Sequence, residues 1–90
     1  MVIIIFVILA YDVNAKRTGK MLRICRRYLK HSQKSVFEGN ISEAKLNRLK
    51  NDLEHAIVKK EDQILIYKFE SLRYTSRDII GMHEEETNIL

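Results

Sequence analysis

The chain opens with nine consecutive apolar residues, Val2 to Ala10, and this run constrains the fold more than any other segment. Six of the nine are β-branched Val or Ile, which favours a strand, and the lack of polar alternation indicates that both faces of the strand are covered. A membrane-spanning helix needs about 20 residues. The run also lacks the charged n-region and the small-residue cleavage site of a signal peptide. It therefore predicts a buried β-strand.

Charge is divided unevenly along the chain. Residues 1–37 carry eight Lys and Arg against one acid, whereas residues 38–90 carry eight against eleven. A polyanion is therefore expected to dock on the first part of the chain.

Ninety residues form one domain with a modest core, so oligomerisation is a natural supplement. The single cysteine, Cys25, lies in an apolar helical pattern that predicts a core position, and the lack of a possible intrachain disulfide favours a reducing, cytoplasmic setting.

Apolar residues recur at helical spacing from Ala15 to about Lys30, and they predict a first helix with one apolar face. Asn14 or Asp12 is placed to cap its start. The opposite face carries a basic stripe. This stripe is either a solvated surface or a contact surface for nucleic acid. Its members follow i, i+4, i+7, i+11 and i+14 spacing: Lys16, Lys20, Arg23, Arg27 and Lys30.

The rest of the chain continues the alternation of strands and helices. Ser32 to Gly39 predicts a second strand ended by the turn pair Gly39-Asn40. Ser42 is placed to cap a second helix that ends near Val58. Two further strands are predicted at the end of the domain, a third over residues 63–70 and a short fourth over residues 77–82.

This order predicts an α+β sandwich with two helices on one face of a small sheet. The domain spans residues 1–82, and residues 83–90 form an acidic linker with a short edge strand. Two helices cannot cover both faces of the first strand. We therefore expect a second copy of the chain on the open face, in a two-fold dimer.

Asp12 stands at the end of the buried strand and precedes the basic helix. Magnesium takes oxygen ligands and is often held by one or two carboxylates together with substrate phosphate. A two-fold dimer would supply the second carboxylate. This arrangement suits a protein that handles phosphodiesters, and the structural alternative is that Asp12 only ends a turn or caps the helix.

Several segments together resemble one known family. They are Tyr11-Asp12, the basic Lys16-Arg17 start of the helix, the motif Ser35-Val36-Phe37-Glu38-Gly39, the Ser42 cap and Ile64 to Tyr67. Over residues 2–82 the chain resembles the CRISPR-associated endoribonucleases, the small dimeric subunit of the spacer-acquisition machinery. The family has a β-hairpin between its helices, where this sequence gives a single segment. That segment could be broken into Gln33 to Phe37 and Glu38 to Ile41.

The resemblance implies a ferredoxin-like sandwich with a small antiparallel sheet, a homodimer and a divalent metal, Mg²⁺ or Mn²⁺, held by Asp12 of each subunit. It also implies nuclease activity on RNA or DNA and partnership with the CRISPR integrase. Around Asp12 we expect Arg17 to clamp a phosphate through its planar fork, with Tyr11 and Ser35 orienting water or phosphate and Phe37 stacking on a base or ribose. The structural alternatives are a strand-surface hydroxyl for Ser35 and a core position for Phe37.

The expected nucleic-acid contacts are Lys16, Arg17, Lys20, Arg23, Arg27 and Lys30. His31, His55 and His83 lack zinc-ligand spacing, so they are expected on the surface. The absence of a glycine-rich phosphate loop argues against a nucleotide-hydrolysing motor. Three function classes stay open: a metal-dependent endonuclease, a non-catalytic dimeric scaffold that binds DNA and bridges integrase subunits, and a ferredoxin-like regulatory or RNA-binding module unrelated to CRISPR.

Overall fold

A computed structural model describes residues 3–69 and 80–81. Within them, four antiparallel strands form one sheet in the order β2-β3-β1-β4. Two helices and a short 3₁₀ turn connect the strands, and the α+β ferredoxin-like expectation is confirmed. The elements are β1 Ile4–Asp12, the 3₁₀ turn Ala15–Arg17, α1 Thr18–Arg26, β2 Lys30–Gln33, β3 Val36–Ser42, α2 Glu43–Glu54 and β4 Gln63–Phe69.

The first strand, β1, is central and is paired on both sides, with β3 and with β4. Its side chains alternate strictly between a buried and a less buried face. The buried face packs under the helices and carries Ile5, Val7, Leu9 and Tyr11. The apolar run therefore needs cover on its other face, because Ile4, Phe6 and Ile8 point away from the helices.

Both helices bury an apolar stripe against the inner face of the sheet. Helix α1 contributes Met21, Ile24 and Cys25, which confirms the core position of the thiol, and burial raises the pKa of Cys25 to about 12. Helix α2 contributes Leu46, Leu49 and Leu53. Both helices are shorter than predicted, because α1 ends at Arg26 and α2 at Glu54.

Side-chain caps fix the starts of both helical segments. The Ser42 hydroxyl accepts a hydrogen bond from the Lys45 amide at 3.1 Å, as the sequence predicted. Asn14, and not Asp12, caps the 3₁₀ turn, since its side-chain oxygen accepts from the Lys16 amide at 3.1 Å. Asp12 is thereby left free of a capping role.

The second predicted strand is in fact a hairpin, β2 to β3, that turns at Lys34 and Ser35. Lys34 adopts a φ of 43°, and the His31 ring nitrogen Nε2 lies 2.6 Å from its carbonyl oxygen. The hairpin restores the ferredoxin-like strand order, and its break lies at Lys34, not at Phe37. Lys30 consequently lies on β2 rather than at the end of the basic stripe of α1.

The predicted turn at Gly39-Asn40 is wrong, because β3 continues through both residues to Ser42. Gly39 has a φ of 153°, which glycine adopts readily and other residues rarely do. The predicted short strand over residues 77–82 and the acidic linker over residues 83–90 lie outside the described residues, apart from Ile80 and Gly81.

Candidate functional site

Asp12 is the last residue of β1 and lies on the open face of the sheet, opposite the helices. Its partner in the register is Gln63, the first residue of β4. Its side chain is exposed. The structure gives it no hydrogen bond or ion pair within residues 3–69 and 80–81. A carboxylate without a partner among the described residues is available to a cation or to a second molecule.

The open face is defined as the β1, β3 and β4 side chains that point away from the helices. It is apolar along most of β1 and β4, whereas β3 adds the polar residues Glu38, Asn40 and Ser42. The register places Phe6 beside Phe69 and Ile8 beside Tyr67. The rings of Phe6 and Phe69 lie 6.0 Å apart. Tyr67 is 55% exposed and Ile4 53%, which is unusual for strand residues of this size. Asp12 stands at one end of this apolar surface.

Arg17 is bound by two carboxylates rather than facing solvent. Its Nε donates to Asp62 Oδ2 at 2.6 Å, and its Nη2 donates to Glu61 Oε1 at 2.7 Å. The Arg17 side chain is 13% exposed and that of Asp62 is fully buried. The bond from Arg17 lowers the pKa of the Asp62 carboxyl well below its usual range. To clamp a phosphate, Arg17 would have to give up these partners.

Tyr11 and Phe37 lie on the inner face and belong to the core. Their rings are 6.2 Å apart, and Phe37 also stacks on His31 at 4.7 Å. Phe37 has no exposed surface, so in this arrangement its ring cannot stack on a base. Burial raises the pKa of the Tyr11 hydroxyl. Ser35 contributes its backbone oxygen, which accepts from the Tyr11 amide at 3.1 Å.

The predicted basic stripe is divided among several elements. Lys16 is exposed on the 3₁₀ turn and Lys30 on β2. The remaining three, Lys20, Arg23 and Arg27, line a groove between α1 and α2 that we call the helix groove. Its α2 side is formed by Asn51, Asp52, His55 and Ala56.

Apart from His55, the residues on the α2 side of the helix groove were not singled out from the sequence, because their approach to α1 depends on how the helices pack. Asp52 accepts a hydrogen bond from the Tyr28 hydroxyl at 2.8 Å, which raises the pKa of Tyr28. His55 is exposed, as predicted, and its Nδ1 lies 2.8 Å from the Asn51 carbonyl oxygen. His31, by contrast, is half-buried in the hairpin.

Asp12 and the helix groove lie on opposite sides of the sheet. The groove is on the helix layer, whereas Asp12 is on the open face of the sheet.

Within the described ranges, no three His, Cys, Asp or Glu side chains cluster to hold a metal. No described helix is both long and apolar enough to cross a membrane. Among the described residues of one chain, Asp12 therefore has no neighbouring group of metal ligands.

Comparison with known proteins identifies the family. The family model described as CRISPR associated protein Cas2 matches residues 5–77. The chain belongs to the Cas2 family. A Cas2 protein of Archaeoglobus fulgidus, named a CRISPR-associated endoribonuclease, is 40% identical over 84 residues, which cover 93% of this chain and 91% of that protein. A Cas2 of Dictyoglomus turgidum with the same name is 40% identical over 81 residues, covering 90% and 93%.

Solved structures agree with this assignment. One described as a crystal structure of Cas2 superposes with a TM-score of 0.81 at 33% identity, covering 97% of this chain and 95% of that one. Streptococcus pyogenes Cas2 superposes with a TM-score of 0.64 at 32% identity, covering 69% and 82%. The sheet order and the hairpin are therefore those of a Cas2 subunit. Asp12 and Arg17 lie within the matched residues.

Proposed function

We propose that this Cas2 protein is a homodimeric, magnesium-dependent endonuclease that cleaves phosphodiester bonds in RNA or DNA and acts with the CRISPR integrase in spacer acquisition. The observation that carries the proposal is the position of Asp12, a carboxylate without a partner in the described part of the chain, at the end of the apolar β1–β4 side of the open face. A second copy on this face would bring a second Asp12 toward the two-fold axis.

The residues present suit a hard divalent cation. Asp12 offers charged oxygen ligands, and magnesium needs only one or two carboxylates when waters and substrate phosphate complete its shell. When bound, Mg²⁺ or Mn²⁺ would act as a Lewis acid toward the phosphate and lower the pKa of a water ligand. Two unpaired carboxylates brought together would repel each other, so Asp12 has an electrostatic reason to bind a cation in the dimer.

Other side chains of the protein attract the substrate and exclude water in the proposed mechanism. Lys16 is exposed four residues after Asp12, and we propose that it attracts the phosphate backbone to the metal site. The open-face side chains exclude water around the paired carboxylates once the dimer forms, which strengthens electrostatic interactions there. Tyr11 and Phe37 support β1 from the core and take no proposed part in substrate contact.

Metal removal tests the proposal directly. Incubating the native protein with RNA, single-stranded DNA and duplex DNA in the presence of magnesium should give cleavage of at least one substrate. Excess EDTA should reduce that cleavage to the uncatalysed rate, and added magnesium should restore it. Cleavage that persists in EDTA would contradict the metal-dependent mechanism.

The second candidate function is a non-catalytic scaffold that binds duplex DNA and bridges integrase subunits. The observation that favours it is the separation of the helix groove from Asp12, because contacts to a phosphate backbone there do not require cleavage. Both candidates predict binding that weakens with salt and has little sequence preference.

Replacing Lys20, Arg23 and Arg27 together with Gln should weaken nucleic-acid binding more than tenfold at moderate salt. Each phosphate contact contributes about 0.9 to the slope of log K against log salt, so the loss of three should reduce that slope by roughly 2 to 3. Fluorescence anisotropy over a salt series measures both quantities.

Lys45 and Lys50 are exposed on α2 outside the residues that line the helix groove, so their double Gln variant is the control. The double variant should reduce the salt slope of binding by less than half as much as the triple variant does. If the two variants behave alike, the helix groove is not the contact surface. The triple variant should fold normally, because its three side chains line a solvent-facing groove and are not part of the core.

A further inference from the structure

Asp62 is the centre of a hydrogen-bond network that no sequence signal indicated. Its buried carboxylate accepts four protein bonds. Oδ1 accepts from the Asn14 amide at 2.9 Å and from Arg17 Nη2 at 3.1 Å. Oδ2 accepts from Arg17 Nε at 2.6 Å and from the Val58 amide at 2.9 Å. We call Asn14, Arg17 and Asp62 the loop clip, because they join the loop after β1 to the loop before β4.

The loop clip is adjacent to Asp12 both along the chain and across the β1–β4 register. Asp62 immediately precedes Gln63, which is the partner of Asp12 in the β1–β4 register. Asn14, two residues after Asp12, is held by the same carboxylate. The Asn14 carbonyl oxygen in turn accepts from the Arg17 amide at 2.8 Å. The strand end that carries Asp12 is thus tied to β4 and to the 3₁₀ turn at once.

We infer that Asp62 and Arg17 are positioning residues that fix the direction of Asp12, and that Arg17 acts through Asp62 instead of contacting phosphate. A buried carboxylate with four donors is costly to leave unpaired, so Arg17 stays bound to it. Partners that orient a metal ligand commonly change metal affinity or activity by about 10- to 100-fold when they are removed. This inference rests on the proposed function of Asp12 for its catalytic consequence, but its structural content can be tested separately.

Hydrogen exchange followed by NMR tests the positioning without any cleavage. In Asp62→Asn, we expect the Asn14 and Val58 amides to exchange at least tenfold faster than in the native protein, and the Asp12 and Val13 amide resonances to shift. The matched control is Glu61→Gln, which removes the exposed carboxylate beside Asp62. It should leave these amides near their native values. Native shifts and protection in Asp62→Asn would overturn the inference.

A second variant pair tests the bond between the Asn14 amide and Asp62 from its donor side. Asn14 has a φ of −55°, which proline shares, so Asn14→Pro keeps the backbone angle but removes the amide donor, and the proline ring displaces the Asp62 carboxylate from it. Asn14→Ala removes the side-chain cap but keeps the amide. We expect Asn14→Pro to shift the Asp12 resonance several times more than Asn14→Ala. Equal shifts in the two variants would count against a role for the bond to Asp62.

Kinetics and salt dependence separate positioning from phosphate binding. In Arg17→Gln and Asp62→Asn, we expect kcat to fall by at least tenfold, with KM and the salt slope of nucleic-acid binding unchanged. If Arg17 contacts phosphate, Arg17→Gln should instead raise KM and reduce the salt slope by about 0.9, while Asp62→Asn keeps its kcat. That pattern would overturn the inference.

The two hypotheses fail in different ways. If the native protein does not cleave, or if Asp12→Asn cleaves as well as the native protein, the proposed function fails, and the exchange experiment still decides whether the loop clip positions Asp12. If cleavage depends on Asp12 but is unaffected in both Asp62→Asn and Arg17→Gln, the proposed function stands and the positioning role is wrong.

Discussion

Asp12→Asn should reduce the kcat of magnesium-dependent cleavage by roughly 10³-fold or more, a loss typical of removing a central electrostatic group from an active site. The substitution preserves the size of the side chain and one carboxamide oxygen, but it removes the charge that attracts a cation. Because Asp12 is exposed and has no partner among the described residues, the variant should fold and dimerise normally. Single-turnover cleavage assays over a magnesium titration measure the effect.

Glu54→Gln is a suitable control, since it removes an exposed carboxylate from the end of α2, on the helix layer. It should keep kcat within about twofold of the native value, as is usual for surface substitutions. Native kcat in Asp12→Asn would refute the nuclease mechanism. Retained duplex binding and spacer acquisition in that variant would then favour the scaffold.

Mixing native and Asp12→Asn subunits tests whether the two carboxylates act as one site. After subunits exchange in an equal mixture, about one quarter of the dimers carry two native aspartates. If both are needed for one metal, activity should fall to about one quarter of that of an equal total amount of native protein. If each subunit works alone, it should fall only to about one half. The mixed experiment therefore distinguishes a shared site from two separate sites.

The parts of the fold that follow from local sequence patterns were predicted correctly. The apolar, β-branched run predicted a strand, and the structure has β1 there. The Ser42 cap and the Leu46, Leu49 and Leu53 stripe gave α2. These signals depend on residues close in sequence, so a single chain is enough to read them.

The position of the hairpin turn and the Arg17–Asp62 pair were not predicted. The hairpin at Lys34 has no Gly or Asn to mark its turn, and it depends on the His31 contact with the Lys34 carbonyl oxygen and the stacking of His31 on Phe37. The Arg17–Asp62 pair joins residues 45 apart in sequence. From the sequence, Arg17 was one cation among eight in the first 37 residues, and nothing indicated which acid would reach it.

Ile8→Glu should convert the protein to a monomer and abolish cleavage. Ile8 lies on the open face between Tyr67 of β4 and Glu38 of β3, so a carboxylate there would be buried in an apolar interface beside another acid. We expect the dimer Kd to rise by roughly 10³-fold, equivalent to about 4 kcal/mol. Sedimentation equilibrium should change from twice the 10.7 kDa chain mass to that of one chain.

The fold of Ile8→Glu should survive, because Ile8 points away from the core under the helices, and circular dichroism would verify this. Ala44→Glu is the control, since it adds the same charge at an exposed position of α2 and should remain dimeric and active. A dimer in Ile8→Glu would mean that copies associate through another surface. A monomer that still cleaves would mean that one Asp12 is sufficient, because in a monomer no second subunit can supply the other carboxylate.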